Sequence, residues 1–331
     1  MRVRERRTVC DHPPPAKISP RDPARETPLF SLCIPAFEDA AAVERALACL
    51  RRQSVTDWEC LVSDDSRSDA VAEVVRACAD PRIRYEKNTP ALGVPANWNQ
   101  ALAQARGEYV SLLHQDDFYQ QETVLEQVAG LFVRERCDVV VCACRRWQEG
   151  RECGRHTGGA RHLRHFLRDF PGRSLVVNRI GHPSVLFLRR EKGIPLFDAS
   201  LRYFLDTDWY ARILKQGGRA CFLSSAFVDV ESGRQHQLSA SCTQALERTA
   251  AELRHALERN GATAAQTAQA YARFYASHAR HWRSGCSAAL GRTLRAFGWA
   301  QRGVFCLYFT ACLVHMGYRG LRKFLGFSAW R

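Results

Sequence analysis

The residues best suited to chemistry in this chain are two adjacent carboxylates, Asp116 and Asp117. They follow Gly107 to Leu113, a small-residue turn and an apolar run that indicate a buried parallel strand. The pair is therefore expected at the carboxyl end of a strand, where open α/β sheets bind ligands. Two carboxylates held together repel each other unless protons or a cation separate them, which favours a divalent metal. The simpler alternative is that the pair starts a helix over 119–134.

Two further strands end in polar or aromatic residues. The first ends at Pro35 and Phe37, and the second ends at Asp64 and Asp65. Because parallel strands share one direction, we expect these ends at the same edge as the 116–117 pair. An aromatic ring beside a carboxylate suits a nucleobase, with Phe37 stacking on it and Asp65 accepting from a ring N–H. The alternative makes Phe37 a core residue and both aspartates helix caps.

The elements that must position these residues alternate along the chain. Apolar runs predict strands at 29–35, 58–63, 83–86, 108–113, 139–144 and 183–189. Amphipathic patterns predict helices at 39–53, 70–79, 95–106 and 206–216. This order predicts an α/β fold with a doubly wound, mostly parallel sheet flanked by helices. Residues 145–180 are rich in Gly and Arg and give no clear pattern.

The distribution of charge divides the chain. The formal net charge is +14, yet residues 29–258 carry 30 basic and 30 acidic residues and are neutral. Residues 259–331 carry 11 basic residues and no acidic one. This pattern indicates a neutral catalytic body with a basic anchor, and it argues against nucleic acid as a partner. We expect a disordered Pro-rich lead over 1–28, a catalytic domain over 29–240 and a helical extension over 241–331.

The 14 cysteines are scattered, and no CxxC pair has a matching second pair, which argues against structural zinc. Unpaired cysteines within apolar patterns favour a reducing cytoplasm. The basic start is followed by no apolar run, so we expect no secretory signal.

The C-terminal extension contains an uncharged stretch between Arg302 and Arg319. As a helix it would span roughly 24 Å, short of a ~30 Å hydrocarbon core. Its aromatic and basic flanks predict a helix lying in the interface of an anionic membrane, with residues 286–331 as the contact region. The alternative is a helix packed on the catalytic body or on a second subunit, as in a homodimer.

Four segments together resemble glycosyltransferase family 2, which has the GT-A fold. They are SLCIPAFE, LVSDDSRSD, LGVPANWNQALAQARGEYVSLLHQDD and FDASLRYFLDTDWYARILKQGG, and the resemblance covers 29–239. The resemblance implies inverting transfer of a sugar from a nucleotide-diphosphate donor. It implies Asp206 as the base that deprotonates the acceptor hydroxyl, and a Mn²⁺ or Mg²⁺ ion at Asp116 and Asp117, with Asp117 in direct contact. The nucleotide-sugar residues that it implies are Pro35, Phe37, Asp64, Asp65, Asn97, Asn99, Asp116, His182, Arg234 and His236.

Some residues depart from the commonest family pattern. His114 stands where the acidic motif usually has an Asp, which predicts modest metal affinity. Leu205 replaces the Glu that often precedes the base. The Gln-x-x-Arg-Trp signature of processive members is absent, which favours transfer of a single sugar. For His182, and for the loop that holds Arg234 and His236, the alternative is an ordinary polar loop.

The expected function is a cytoplasmic glycosyltransferase at the inner face of the cell membrane, acting on a lipid-linked or polysaccharide acceptor. A nucleotidyltransferase would usually carry a Gly-rich basic loop after the first strand, and 36–42 has none. A non-catalytic carbohydrate- or membrane-binding protein on the same fold remains an alternative. A dinucleotide-dependent oxidoreductase is disfavoured, because the first strand-helix turn has no Gly-x-Gly-x-x-Gly.

Overall fold

A computed structural model describes residues 2–4, 27–156, 165–166, 169–216, 218–231, 246–278 and 284–315. The chain divides into two compact units. The first comprises 1–168 and 178–237, and the second comprises 169–177 and 238–331.

The first unit contains one sheet and the helices that flank it. Its strands are β1 (Arg2–Arg4), β2 (Phe30–Ala36), β3 (Trp58–Asp64), β4 (Ile83–Lys87), β5 (Tyr109–Leu112), β6 (Asp117–Tyr119), β7 (Val139–Gln148), β8 (Arg151–His156), β9 (Leu186–Arg189) and β10 (Arg219–Glu231). Its helices are α1 (Ala40–Arg51), α2 (Ala70–Cys78), α3 (Val94–Ala103) and α4 (Val124–Glu135), followed after the second unit's short α5 (Gly172–Val176) by α6 (Leu205–Lys215).

The sheet has the order β1-β10-β7-β9-β5-β2-β3-β4, with β6 paired to β10 and β8 to β7. Strand β2 lies between β3 and β5 and is parallel to both. Strands β6, β8 and β9 join the sheet in antiparallel pairs. The prediction of a mostly parallel α/β sheet is confirmed, and β2, β3 and β5 end at one edge.

The helix predicted over 119–134 is wrong at its start. Residues 117–119 form β6, in which Asp117 and Tyr119 are buried and Phe118 is half-buried. This two-residue alternation is that of a strand, and α4 begins only at Val124. Asp116 and Asp117 therefore do not cap a helix; they enter a short strand that pairs with β10.

Two other segments differ from expectation. The strand predicted over 183–189 begins at Leu186, after a 3₁₀ turn over Pro183–Val185. In the stretch without a clear pattern, β7 continues to Gln148 and turns into β8, and α5 occupies Gly172–Val176.

Local chemistry explains how the sheet is held. The carboxylate of Asp39 caps α1 by accepting from the Ala42 amide at 3.0 Å. Helix α1 then buries one face, including Val43, Leu47 and Leu50. Burial of each such side chain contributes on the order of 2 kcal/mol, which fixes α1 against the sheet.

The second unit is helical, as expected, within its described residues. It contains α7 (Leu246–Arg259), α8 (Ala264–His278), α9 (Ser284–Ala296) and α10 (Trp299–His315), together with α5. In α10, Phe305, Phe309 and Cys312 are buried. No helix within the described ranges combines the length and the apolar character needed to cross a bilayer.

Candidate functional site

The acid pair lies where β5 leaves the sheet. A tight turn returns the chain, with the Asp117 amide donating to the His114 carbonyl at 3.0 Å, and β6 begins at once. The Asp117 side chain is 1 % exposed and accepts a hydrogen bond from Ser184 Oγ. The same Ser184 oxygen accepts from the His114 amide at 3.0 Å, so a single hydroxyl holds both ends of the turn.

The electrostatics of this turn are unusual for an aspartate. Burial raises the pKa of Asp117 well above its usual range, and the charges of Asp116 and Asp206 raise it further. Burial also lowers the pKa of His114 to about 3, so its imidazole is neutral and can act as a ligand.

Asp206 lies in the first turn of α6. It is half-buried, and its carboxylate has no hydrogen-bond partner among the described residues. Burial raises the pKa of Asp206 to about 7. A carboxylate with that pKa can accept a proton near neutral pH, which is what a general base requires. Asp208, two residues on, is fully buried and accepts from Arg212 Nε at 2.8 Å, which is a structural role.

The acid pair at the end of β3 is differently placed. Asp64 is fully buried and accepts from the Ser66 amide and the Tyr85 hydroxyl, each at 2.8 Å. Asp65 accepts from Asn88 Nδ2 at 2.8 Å and from the amides of Leu92 and Gly93 at 3.0 and 2.8 Å. Since a carboxylate has about four acceptor positions, Asp65 retains room for one more donor.

The two predicted asparagines bind protein backbone. Asn97 is buried, and its Nδ2 donates to the Ala36 carbonyl at 3.2 Å. Asn99 makes a reciprocal pair with the backbone of Phe197, whose ring stacks on Trp209 of α6 at 4.4 Å. Asn97 thus supports the end of β2, and Asn99 supports the segment that leads to Asp206. Their contact with a nucleotide-sugar stays a prediction.

Phe37 and Pro35 differ in exposure. Phe37 is 45 % exposed, and its backbone is fixed by a reciprocal amide pair with Gln115 at 2.8 and 3.0 Å. Its ring is therefore presented at the edge on a rigid backbone. Pro35 is buried within β2, so it shapes the strand more than it offers a contact surface.

One group of side chains among the described residues could hold a metal ion. Ligand atoms of His114, Asp117 and His182 all lie within 4.8 Å of one another. Asp116, predicted as a second metal residue, lies outside this group. His182 precedes the 3₁₀ turn, and Tyr210 of α6 donates to the neighbouring Gly181 carbonyl at 2.8 Å.

Sequence reasoning overlooked His114 as a ligand. It stands where the family motif has an Asp, yet imidazole nitrogen is itself a common metal ligand. Its Nε2 is buried and has no hydrogen-bond partner in the described structure, and its Nδ1 lies 3.9 Å from Asp117 Oδ2. Gln115 and Ser184 were also overlooked, and no spacing in the sequence marks either. Arg234 and His236 lie outside the described residues.

Comparisons with known proteins point to one family. Residues 31–190 match the family described as Glycosyl transferase family 2. A Campylobacter jejuni protein named GalNAc(5)-diNAcBac-PP-undecaprenol beta-1,3-glucosyltransferase is 37% identical over 93 residues, which are 27% of this chain and 30% of that protein. This chain is thus matched to under a third of that relative's length.

Two solved structures share the fold over most of the chain. S. aureus TarS 1–349 in complex with UDP-GlcNAc has a TM-score of 0.55 and 16% identity, covering 88% of this chain and 93% of that one. Mannosyltransferase PcManGT from Pyrobaculum calidifontis, in complex with GDP-Man and Mn²⁺, has a TM-score of 0.51 and 17% identity, covering 92% and 90%. At these identities the likeness establishes the GT-A fold.

Proposed function

Because this chain belongs to glycosyltransferase family 2, we propose that it moves a single sugar, with inversion, from a nucleotide-diphosphate donor to an acceptor hydroxyl. The catalytic domain is residues 29–240. The observation that carries the proposal is Asp206, a half-buried carboxylate with a pKa raised to about 7, close enough to Asp117 to influence its titration. A base near the group that holds the donor is the arrangement that inverting transfer needs.

Asp206 performs the proton transfer. Ionised near neutral pH, it accepts the proton of the acceptor hydroxyl as that oxygen bonds to the anomeric carbon from the side opposite the leaving diphosphate. One face of the sugar is attacked while the other loses its substituent, so the configuration inverts. Asp208 cannot share this role, because its carboxylate is fully buried and accepts a hydrogen bond from Arg212.

The residues present fit a divalent metal, Mn²⁺ or Mg²⁺. The convergence of ligand atoms from His114, Asp117 and His182, with His114 Nδ1 3.9 Å from Asp117 Oδ2, is the supporting observation. When bound, the ion would neutralise the diphosphate leaving group. Asp116 adds negative charge beside the three ligands and would strengthen the attraction of the site for a cation.

The nucleotide part of the donor binds at the ends of β2 and β3. Phe37 supplies an exposed ring for the base, and the one open acceptor position of Asp65 receives a base N–H. Asp64 positions Asp65 from within the core. Arg234 and His236 are proposed to contact the diphosphate.

The proposed acceptor is a lipid-linked saccharide or a polysaccharide, since the name of the Campylobacter relative gives a saccharide linked to undecaprenol diphosphate. The protein would work at the cytoplasmic face of the membrane, held peripherally through 286–331. One face of α10 supports this placement, because its exposed residues carry no charge. They are Trp299, Ala300, Gly303, Cys306, Leu307, Thr310 and Ala311.

A matched pair of variants tests the membrane contact. Leu307 of α10 and Val133 of α4 are each 70% exposed on a helix, so Val133→Glu controls for Leu307→Glu. We expect the full chain to sediment with vesicles of phosphatidylcholine and phosphatidylglycerol at low salt, and Leu307→Glu to weaken this about tenfold. Equal sedimentation of both variants would contradict the contact. A wild-type dimer that Leu307→Glu alone dissociates, without vesicle binding, would assign the face to a second subunit.

Transfer itself is tested with Asp206→Asn, an isosteric change. Nucleotide-sugars are first screened by thermal shift with Mn²⁺ or Mg²⁺, because a true donor stabilises the folded state. With that donor and a polyprenyl-diphosphate saccharide, we expect Asp206→Asn to bind donor normally and to lose transfer by about 10²–10⁴-fold. Wild-type-like transfer would refute the base, and a product that retains the donor's anomeric configuration would refute inversion.

A further inference from the structure

Strand β4 lies at one end of the sheet, and its outer side pairs with no strand in the part of the chain that the structure describes. The order of strands ends with β2-β3-β4, and β3 occupies the inner side of β4 in parallel pairing. All residues of β4 are exposed or half-buried. An open edge of this kind presents backbone amides and carbonyls to which another strand can bond.

Two backbone hydrogen bonds establish which residues of β4 face outwards. The Cys60 amide donates to the Arg82 carbonyl at 2.9 Å, and the Asn88 amide donates to the Asp64 carbonyl at 2.8 Å. The backbones of Arg82 and Asn88 therefore face β3. Because the bonding direction alternates along a strand, the even-numbered residues of β4 bond to β3 and the odd-numbered ones face outwards. The outward residues are Ile83, Tyr85 and Lys87.

The outward backbone groups at the centre of β4 are available for bonding. Within the described ranges, no turn or side chain bonds to the amide or the carbonyl of Tyr85 or Lys87. Ile83 offers only its carbonyl, because its amide donates to the Asp80 carbonyl at 3.0 Å. A second strand could therefore bond to β4 without disturbing its pairing with β3.

The charged side chains of β4 are only partly matched within one chain. Arg84 and Glu86 are exposed and lie on the same face of the sheet, because they are two residues apart. Glu86 has no ion-pair partner among the described residues. Arg84 lies 3.4 Å from Glu59, which Arg106 binds more closely at 2.8 Å.

An antiparallel pair of two β4 strands, centred on Tyr85, matches both the backbone and the charges. The two Tyr85 residues exchange N–H···O bonds across a twofold axis, and the Ile83 carbonyl accepts from the Lys87 amide of the second copy. Arg84 then lies opposite Glu86 of the second copy, at a position where opposite side chains come closest. The twofold axis repeats each bond and each ion pair.

The charges also select this register over its neighbours. A shift of one strand by two residues keeps the outward backbone groups opposite each other, but it sets Arg84 against Arg84 or Glu86 against Glu86. Like charges directly opposite each other destabilise a strand pair. The pairing centred on Tyr85 is therefore favoured.

Helix α2, which packs against β4, offers apolar surface on one face of the same edge. Val71, Val74, Val75 and Cys78 recur at helical spacing, yet only Val71 is fully buried. A twofold axis perpendicular to the sheet brings the second α2 to this face. The dimer would thus supply apolar surface near side chains that one chain leaves half-exposed.

We propose that β4 is a dimerisation edge, at which two copies of this chain join their sheets through antiparallel pairing centred on Tyr85. A twofold arrangement uses the same edge of both copies, so assembly stops at the dimer. The proposal stands independently of the proposed function, and none of its tests measures sugar transfer.

The test is sedimentation velocity of the full chain at concentrations from micromolar to near-millimolar, where we expect a reversible monomer–dimer equilibrium. Arg84→Glu and Glu86→Arg each set like charges opposite each other, so each should weaken the dimer at least about tenfold. An equimolar mixture of these two variants should form a heterodimer at least as tight as the wild-type dimer. One chain then supplies only carboxylates at the two positions, and the other supplies only guanidinium groups.

Two further variants serve as controls. Glu122→Arg reverses a charge at an exposed position of the turn before α4, and it should leave the dimer unchanged. Leu307→Glu alters the exposed face of α10 and should also leave the dimer unchanged. Melting temperatures close to that of the wild type check that each variant is folded.

Hydrogen exchange of the wild type keeps the test independent of any variant. The amides of Tyr85 and Lys87 face outwards, so their exchange should slow at least about tenfold between dilute monomer and concentrated dimer. The amides of Arg84 and Glu86 bond to β3, so they should change much less and act as an internal reference.

Four outcomes overturn the proposal. They are a wild type that stays monomeric throughout the concentration range, a dimer that neither charge reversal weakens, folded charge-reversal variants that do not pair with each other, and exchange at Tyr85 and Lys87 that does not depend on concentration. A dimer that Leu307→Glu dissociates would place the interface on α10 and would also overturn it.

Discussion

Two aspartate pairs end neighbouring parts of the same sheet, and their surroundings differ. Asp64 and Asp65, after β3, are met by hydroxyl, amide and side-chain donors that fill most of their acceptor positions. Asp117, after β5, has one hydroxyl donor, and burial and like charges raise its pKa. The same Asp-Asp dipeptide therefore stabilises a loop after β3 and attracts cations after β5. The difference lies in how many hydrogen-bond donors surround the carboxylates.

The largest expected effect comes from Asp117→Asn, which removes the only carboxylate of the metal group. The amide can still accept from Ser184, so we expect a folded protein that binds Mn²⁺ poorly and transfers sugar about 10²–10³-fold more slowly. Metal titration and initial rates check this. Full transferase activity in Asp117→Asn would mean that the different surroundings of the two aspartate pairs do not matter for catalysis.

The two aspartates that follow β3, Asp64 and Asp65, can be compared with each other. Asp65→Asn places an amide nitrogen among three donors, so we expect the 88–93 segment to loosen, at a cost of about 2 kcal/mol. Donor affinity should fall by about tenfold as well. Asp64→Asn should cost less, since the Tyr85 hydroxyl can accept from the new amide.

Urea denaturation and donor titration of both variants separate the two roles. Equal donor affinity in Asp65→Asn and the wild type would remove Asp65 from base recognition and leave it a structural residue. A larger stability loss in Asp64→Asn than in Asp65→Asn would contradict the hydrogen-bond assignment.

The smallest effect concerns stability. Asp206 has its pKa raised from 3.8 to about 7, so the folded state holds a proton that the unfolded state has lost between these pH values. Stability therefore falls as pH rises from about 4 to 7, and the full cost persists above 7. Asp206→Asn should be more stable than the wild type at pH 8, by on the order of 2 kcal/mol, and the gain should vanish near pH 4. Melting curves at both pH values check this, and a gain that is equal at both would contradict it.

The parallel strands and the edge at which they end could be predicted from the sequence, because apolar runs and helical periodicities are local patterns. That is why Phe37, Asp65 and Asp117 could be assigned to strand ends in advance. It did not show that residues 117–119 form a strand, since three residues give too short an alternation and the pairing with β10 is distant in sequence.

The hydrogen-bond donors around each aspartate could not be predicted from the sequence either. The Ser184 hydroxyl lies 67 residues from Asp117, and the amides of Leu92 and Gly93 lie 27 and 28 residues from Asp65. Similarly, the bond from Asn99 to Phe197 spans 98 residues. Such contacts exist only once the chain is folded. His114 was missed for a different reason, because comparison with a motif treated it as a lost aspartate.

The most direct test of the account is the pH dependence of kcat/KM for the donor at saturating Mn²⁺, in the wild type and in Asp206→Asn. Asp206 must be ionised to act, so the wild-type value should rise about tenfold per pH unit below 7 and level off above it, and the residual rate of Asp206→Asn should lack that rise. A wild-type profile that is flat through pH 7, or the same rise in Asp206→Asn, would contradict the assignment of Asp206 as the base.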